Sequence, residues 1–251
     1  MASLEPVTLK LNWAYKHLER LVPELNRYLE SKPCEIVGDF EPDAHRHRLT
    51  ARVRQRNAVP PEISLMFGDC IHSLRTALDY LVWQLVLAAK NVPAKENMFP
   101  VCSEPKYFTD AIKRGRLKGV SEQATARIES LQPFNNTKPA SDPLSILDEL
   151  ERIDKHRTIL FTAVGIAEGG RATFTDHTGT SIETVFSAGY DGAKVATGPF
   201  LVHGKKVNMK GEYVAYVALR EGAASDMEVT QVLGVLGKHV SFVADQFADF
   251  F

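Results

Sequence analysis

The stretch that decides the fold is Ile71–Leu85, IHSLRTALDYLVWQL. Its aliphatic residues share one side of a helix, and Arg75, Asp79 and Trp83 belong to the opposite side. Helical periodicity extends this element from about Pro61 to Lys90, and a proline suits the first turn of a helix. A long helix with one apolar side needs other elements to cover it, so the stretch predicts a helix-rich core.

Outward from this helix, the same periodicity predicts further helices near 7–31, 107–114, 121–131, 142–160 and 226–250. Short β-rich runs between turn residues predict strands at 34–39, 47–56, 161–166, 172–176, 182–186, 200–203 and 212–219. We therefore expect an α+β fold: an antiparallel helical bundle with an appended antiparallel β-meander and a C-terminal helix.

The domain organisation is predicted from the order of these elements. The helical bundle covers about 1–160 with a small β-hairpin near 34–56, the β-rich part covers about 161–222, and the closing helix covers about 226–250. No linker rich in Pro, Gly or Ser separates these parts. The sequence therefore predicts a single domain, 1–251.

Composition and sequence pattern indicate the cellular compartment and exclude some classes of binding partner. The net charge of −1 argues against binding nucleic acid or membranes through bulk charge. No secretory signal begins the chain, and its longest apolar run is too short to span a bilayer. Three widely spaced cysteines form no disulfide framework, which is typical of a reducing compartment. We expect a cytoplasmic protein without a membrane partner.

Known catalytic and cofactor motifs are missing from the sequence. It contains no GxGxxG, Walker, GxSxG or HExxH pattern and no Cys/His cluster, which disfavours dehydrogenases, kinases and α/β-hydrolases. His72 with Asp69 or Asp79 has a spacing that suits two metal ligands on one helix. Without a further cluster, we expect no metal and no cofactor.

Two helices carry the candidate site. On the helix around Ile71–Leu85, Asp69, His72, Arg75 and Asp79 lie one turn apart. On the helix predicted for 142–160, Arg157 falls on the apolar stripe. Asp154 and His156 flank it, and an arginine on such a stripe needs a carboxylate or a bound anion.

Three interpretations of these helices remain open: a structural buried network, a ligand or catalytic site, or a dimer contact. His72 and His156 lie among charged residues, where an imidazole could act as acid or base.

The most basic stretch is 45–56, HRHRLTARVRQR. In a strand, Arg46, Arg48, Arg52, Arg54 and Arg56 project from one face, because side chains alternate with a period of two. A row of guanidinium groups suits phosphate oxygens. A solvated edge strand that charge protects against aggregation explains the same pattern.

Several motifs resemble those of a widespread group of bacterial proteins of unassigned activity. They are Pro60-Pro61, Gly68-Asp69, Ile71–Leu85, Phe99-Pro100, Ile128–Phe134 and Asp154–Arg157, and the resemblance covers roughly 7–160. More distantly, Arg75 and the residues after it resemble the Arg-x4–6-His motif of HEPN-domain proteins. That family implies dimeric helical bundles that act in stress response or phage defence, as metal-independent ribonucleases or as nucleotide-binding proteins.

The resemblance implies a HEPN-like protein that binds a phosphate-bearing ligand, RNA or a nucleotide, as a homodimer. Tyr80 stands where the related proteins carry His, so His72 or His156 would have to serve as acid or base in the alternative, a metal-independent endoribonuclease. Arg75 or Arg157 would then stabilise the phosphate. A second alternative is a non-catalytic structural or dimerisation protein. We expect the ligand contacts from Asp69, Asp79, Tyr80, Asp154, Arg48, Arg52 and Arg54.

Overall fold

The computed structural model describes the chain except for residues 43–46, 158, 160, 167–168, 177–180, 186, 188, 190–191, 193, 199–206 and 213. Only the backbone is described at 38–42, 47–50, 162–166, 172, 176, 182, 184, 194–198 and 207–212.

Contacts divide the chain into two compact units. The helical unit comprises Met1–Pro23, Glu62–Ile159 and Glu221–Phe251, and the strand unit comprises Glu24–Pro61 and Leu160–Arg220. The prediction of one domain stays a prediction.

The described residues form six α-helices. They are α1 (Glu5–Glu30), α2 (Pro61–Ala88), α3 (Pro105–Lys113), α4 (Glu122–Ser130), α5 (Pro143–His156) and α6 (Val229–Asp245). Sequence periodicity located all six, and the side of α2 that it assigned to the core is buried. Two of the helix starts are capped by side chains: Asp142 accepts a hydrogen bond from Leu144 N, and Ser121 accepts one from Ala124 N.

Helix α5 ends earlier than expected. The predicted helix continues to about residue 160, but Arg157 has extended backbone angles (φ −166°, ψ 158°) and His156 is the last helical residue. Strand β3 begins at Phe161, so the chain must leave the helix before that point. The predicted boundary was wrong because the apolar residues Ile159 and Leu160, which precede the strand, continue the helical pattern.

The first two α-helices of the helical unit run antiparallel. Near the start of α1, Ser3 N donates to Gln84 Oε1 at the end of α2 over 3.1 Å. Further along α1, His17 Nδ1 lies 3.8 Å from the Asp69 carboxylate near the start of α2. Other residues of α2, His72 and Arg75, contact α5.

The strand unit contains eight described strands. They are β1 (Cys34–Pro42), β2 (His47–Gln55), β3 (Phe161–Ile166), β4 (Arg171–Asp176), β5 (Ser181–Val185), β6 (Lys194–Gly198), β7 (Val207–Glu212) and β8 (Ala215–Leu219). The sheets have the orders β1-β2-β6, β3-β8 and β5-β4-β7, and every pair is antiparallel. The predicted run 200–203 lies outside the described residues.

The α+β class with an antiparallel helical part, antiparallel strands and a C-terminal helix is confirmed. The hairpin β1–β2 was expected within the helical bundle, but it pairs with β6 and belongs to the strand unit. No helix in the described part of the chain is long and apolar enough to cross a membrane.

Candidate functional site

Helices α2 and α5 face each other through polar side chains. Arg75 Nε lies 3.4 Å from Asp148 Oδ1, and one turn away His72 Nδ1 lies 3.1 Å from Glu151 Oε1. Another turn on, the Asp154 carboxyl group packs against the backbone of Gly68. Successive contacts step forward on α5 and backward on α2, as expected for antiparallel helices. Of the expected site residues, His72, Arg75 and Asp154 therefore lie between the two helices.

Arg75 is the most completely bonded member of this interface. Its side chain is only 8% exposed. Its Nη1 donates to Asp79 Oδ1 over 2.6 Å, and its Nη2 donates to the Phe99 carbonyl over 2.9 Å. The Asp79 carboxylate also accepts a hydrogen bond from Phe99 N, at 2.9 Å. The pair therefore joins a buried guanidinium group to a partly exposed carboxylate and holds the segment at Phe99, rather than forming the solvated pair that periodicity alone allows.

Glu151 is the buried carboxylate that His72 and Lys155 contact. It is 4% exposed, and its Oε1 receives both His72 Nδ1 and, over 2.8 Å, Lys155 Nζ. Its Oε2 is buried without a hydrogen-bond partner in the described part of the chain. The His72 side chain is 57% exposed, and its Nε2 lies 3.5 Å from Thr76 Oγ1. The buried carboxylate thus orients an imidazole whose other nitrogen is on the solvent side.

Asp154 and Asp69 complete the acidic end of the interface. Burial raises the pKa of Asp154 above its usual range, and the negative charges of Glu151 and Asp69 raise it further. His72 opposes this shift. This cluster therefore holds more negative charge than the nearby His72 and Lys155 compensate.

Two predicted members are not part of the interface. Arg157 was expected in the middle of an apolar helical stripe, but it lies beyond the end of α5, and its side chain is 55% exposed. It pairs with Glu221, so no bound anion is needed to compensate it. His156 is exposed at the last position of α5. The expectation of a buried Arg157 is wrong because the helix ends before it.

A cavity of about 300 Å³ opens beside Arg75. Besides Arg75 and Asp148, its wall includes Asp110, Arg114 and Arg116. Among the residues that the structure describes, Arg116 contacts only Met98 Sδ through its guanidinium group, at 3.2 Å, and Arg114 has no carboxylate partner. We call this the arginine cavity.

Tyr80 belongs to a different place on α2. It is 41% exposed and lines a second cavity together with Trp83 and Gln84. Lys10 Nζ lies 5.7 Å from the centre of its ring. Tyr80 therefore does not join Arg75 at one ligand position.

The strand arginines belong to the strand unit. The expected alternation is present in the described part of β2, where Ala51 and Val53 are buried and Arg54 is exposed. Arg54 and Arg56 both pair with Glu35, whose pKa is lowered mainly by the hydrogen bond from Arg56. Arg52 Nη1 donates to the Gly192 carbonyl over 3.3 Å. The predicted contributions of Arg46 and of the Arg48 side chain lie outside the described residues.

No group of three or more His, Cys, Asp or Glu side chains is arranged to hold a metal ion in the described ranges. Burial raises the pKa of Cys70 to about 12 and that of Cys102 to about 11. Both thiols therefore stay protonated near neutral pH and are poor nucleophiles.

Sequence reasoning missed Asp148 and Glu151, which are the partners of Arg75 and His72. Their spacing from Asp154 (i, i+3 and i+6) places all three along one side of α5, which was a usable signal. It also missed Arg114 and Arg116, although 113–118 (KRGRLK) is strongly basic. A short basic segment next to a helix has no sequence periodicity from which a cavity could be predicted.

No family model matches the chain, and comparisons with curated proteins and with solved structures find no similar protein.

Proposed function

We propose that the chain is a HEPN-like protein that binds a phosphate-bearing ligand, RNA or a nucleotide, in the arginine cavity. The observation that carries the proposal is the presence of Arg114 and Arg116 on one cavity wall without a carboxylate partner in the described part of the chain. A guanidinium group can donate two parallel hydrogen bonds to phosphate oxygens.

The charge of the cavity supports an anionic ligand. Asp148 and Asp110 also line it, but Asp148 pairs with Arg75 and Asp110 lies 3.7 Å from Lys113 Nζ. Asp110 is thus compensated by Lys113, whereas Asp148 shares the single charge of Arg75 with Asp79. With Arg114 and Arg116 included, the cations around the cavity exceed the carboxylates by one charge, which favours an anion.

Arg75 acts as a positioning residue in this proposal. Its guanidinium group is committed to Asp79, Asp148 and the Phe99 carbonyl. It therefore fixes the wall of the cavity at Phe99 rather than contacting the phosphate directly. Breaking this network would alter the cavity by moving the wall.

Equilibrium binding of a labelled single-stranded RNA in EDTA tests the proposal, with unlabelled nucleotides as competitors. We expect the double variant Arg114→Ala/Arg116→Ala to bind at least about tenfold more weakly, because a hydrogen bond to a charged group contributes roughly 1.5–3 kcal/mol. The control Arg20→Ala/Arg152→Ala removes the same charge outside the cavity. Equal losses in the two variants would show that only net charge matters.

The second candidate function is that of a metal-independent endoribonuclease. The hydrogen bond between His72 and buried Glu151 favours this function. In this mechanism, His72 Nε2 accepts the proton of an RNA 2′-hydroxyl group while the 2′-oxygen attacks the phosphorus. The leaving 5′-oxygen then takes a proton from the imidazolium. Lys155, beside Glu151, supplies positive charge near the reacting phosphate.

Gel analysis of labelled RNA incubated with the protein in EDTA tests this alternative. Cleavage should be lost in His72→Ala and kept in His156→Ala, because His156 is exposed and separate from Glu151. If no RNA is cut, or if His72→Ala cuts as fast as the unmodified chain, the ribonuclease mechanism is refuted.

We also propose that the protein works in the cytoplasm as a homodimer. None of its three cysteines takes part in a disulfide, which fits a reducing compartment. The homodimer stays a prediction from the family resemblance. Sedimentation equilibrium tests it against the chain mass of 27.9 kDa.

A further inference from the structure

The second cavity of the helical unit has a volume of about 440 Å³. It is lined by Pro6, Asp79, Tyr80, Trp83, Gln84 and Asn97, none of which lines the arginine cavity. Pockets for small molecules typically span about 300–1,000 Å³ and combine apolar walls with a few polar groups. This cavity has both features.

Gln84 supplies an unused donor. The residue is only 9% exposed, and its Oε1 accepts a hydrogen bond from Ser3 N at 3.1 Å. That bond fixes the orientation of the amide group: Oε1 faces Ser3, and Nε2 faces away from it. Its Nε2 has no partner among the described residues, and Gln84 lines the cavity. This nearly buried residue therefore keeps an unbonded amide donor that a ligand in the cavity can reach.

Asp79, which lines the same cavity, supplies an acceptor. Its Oδ1 accepts hydrogen bonds from Arg75 and from Phe99 N, at 2.6 and 2.9 Å. Its Oδ2 accepts none from the described residues. Asn97, by contrast, uses its Oδ1 for Ala94 N and its Nδ2 for the carbonyl oxygens of Arg116 and Lys118. Asn97 therefore lines the cavity, but its side-chain oxygen and nitrogen are already used within the chain.

The aromatic lining favours a planar ligand. Trp83 is 45% exposed although it borders the cavity, so its indole can accept a stacked ring. Lys10 covers one face of the Tyr80 ring, so we assign the stacking to Trp83. An aromatic surface with one donor and one acceptor suits a planar heterocycle that carries an N–H group next to a ring nitrogen or carbonyl.

We propose that this cavity binds a nucleobase, stacked on Trp83, with its polar edge between the Gln84 amide and the Asp79 carboxylate. Adenine offers the matching groups: its amino group can donate to Asp79 Oδ2, and a ring nitrogen can accept from Gln84 Nε2. The inference deepens the proposed function, because it assigns a place to the base of a nucleotide, but it uses none of the arginine-cavity residues. Adenosine carries no phosphate, so failure here is distinguishable from failure of phosphate binding.

Fluorescence of Trp83 tests the inference. The chain contains two tryptophans, so Trp13→Phe leaves Trp83 as the only reporter. We expect adenosine to quench it in a saturable manner. Purine riboside, which lacks the amino group, should bind at least about fivefold more weakly, because it loses one hydrogen bond to a charged acceptor.

Gln84→Glu provides the variant test in the same background. The new side chain keeps an oxygen for Ser3 N but replaces the donor with a second acceptor. We expect at least about tenfold weaker adenosine binding, since a bound acceptor would face an acceptor. Gln123→Glu, on the exposed surface of α4, makes the same chemical change and should have no effect.

Three results would overturn the inference: no quenching of Trp83 by adenosine, equal affinity for adenosine and purine riboside, or equal binding by the Gln84→Glu and Gln123→Glu variants. The comparison of the two nucleosides needs no change at Gln84. This comparison therefore tests nucleobase binding even if the Gln84→Glu variant fails to fold.

Discussion

At the scale of single residues, Arg75 shows how a buried charge is stabilised in this protein. Its guanidinium group reaches two carboxylates and a backbone carbonyl. Arg75→Met should lower the free energy of unfolding by about 1–3 kcal/mol, because the Phe99 carbonyl and the partly exposed Asp79 and Asp148 carboxylates lose their donor. Urea denaturation measures this loss. Arg114→Met, at an exposed guanidinium, should stay within about 0.5 kcal/mol of the unmodified protein. Similar stabilities of the two variants would contradict the assigned network.

Asp154 should make stability depend on pH. Its pKa is raised in the folded protein, first by burial and then by Glu151 and Asp69. The folded state therefore holds the proton more tightly, and the resulting stability is present at low pH and lost as pH rises through the raised pKa. Asp154→Asn cannot ionise, so it should gain stability relative to the unmodified protein between about pH 4 and pH 7. Melting temperatures at both pH values measure the difference. A constant difference would show that the pKa is not raised.

At the scale of elements, the packing of α2 on α5 depends on the lack of a side chain at Gly68. A Cβ there would lie 2.7 Å from Asp154 Cγ. A change from glycine to alanine inside a helix normally stabilises by about 1 kcal/mol. Gly68→Ala should be less favourable in this chain than in an Asp154→Ala background, because the Asp154 carboxylate must move to admit the new Cβ. The double-mutant cycle measures this coupling by urea denaturation. An equal effect of Gly68→Ala in both backgrounds would contradict the packing.

The elements also show what sequence periodicity can and cannot reveal. The apolar side of α2 was predictable because a helical period is a local property. The partners of its polar side were not, because Asp148 and Glu151 are over 70 residues away in sequence. Arg157 was misplaced for a related reason: nothing in the local pattern marked the change from α5 to the extended chain before β3. The end of a helix depends on the tertiary position of the next element.

At the scale of the whole molecule, the long-range strand pairings were beyond sequence reasoning. Strand β2 pairs with β6, and β3 pairs with β8. Polar runs such as 194–198 and 207–212 were not predicted as strands, because they lack the alternation of a half-buried strand. The nearby pairing of β4 with β5 was predictable, since only the four residues 177–180 (HTGT), with the composition of a turn, separate two β-rich runs in the sequence.

The division into two units predicts how the cysteines become accessible. All three thiols are buried, with Cys70 and Cys102 in the helical unit and Cys34 in the strand unit. Pulsed alkylation in increasing urea, with mass spectrometry of each cysteine, should give one common midpoint for Cys70 and Cys102. Cys34 reports the other unit separately. Different midpoints for Cys70 and Cys102 would show that the helical unit does not unfold as one body.

Calorimetric titration with pyrophosphate tests most directly whether Arg114 and Arg116 form a phosphate site. Pyrophosphate carries no base and no sugar, so only contacts to phosphate oxygens contribute. We predict saturable binding to the unmodified protein, at least about tenfold weaker binding to Arg114→Ala/Arg116→Ala, and unchanged binding to the Arg20→Ala/Arg152→Ala control. Equal binding by all three proteins, or no binding to the unmodified protein, would contradict the phosphate site.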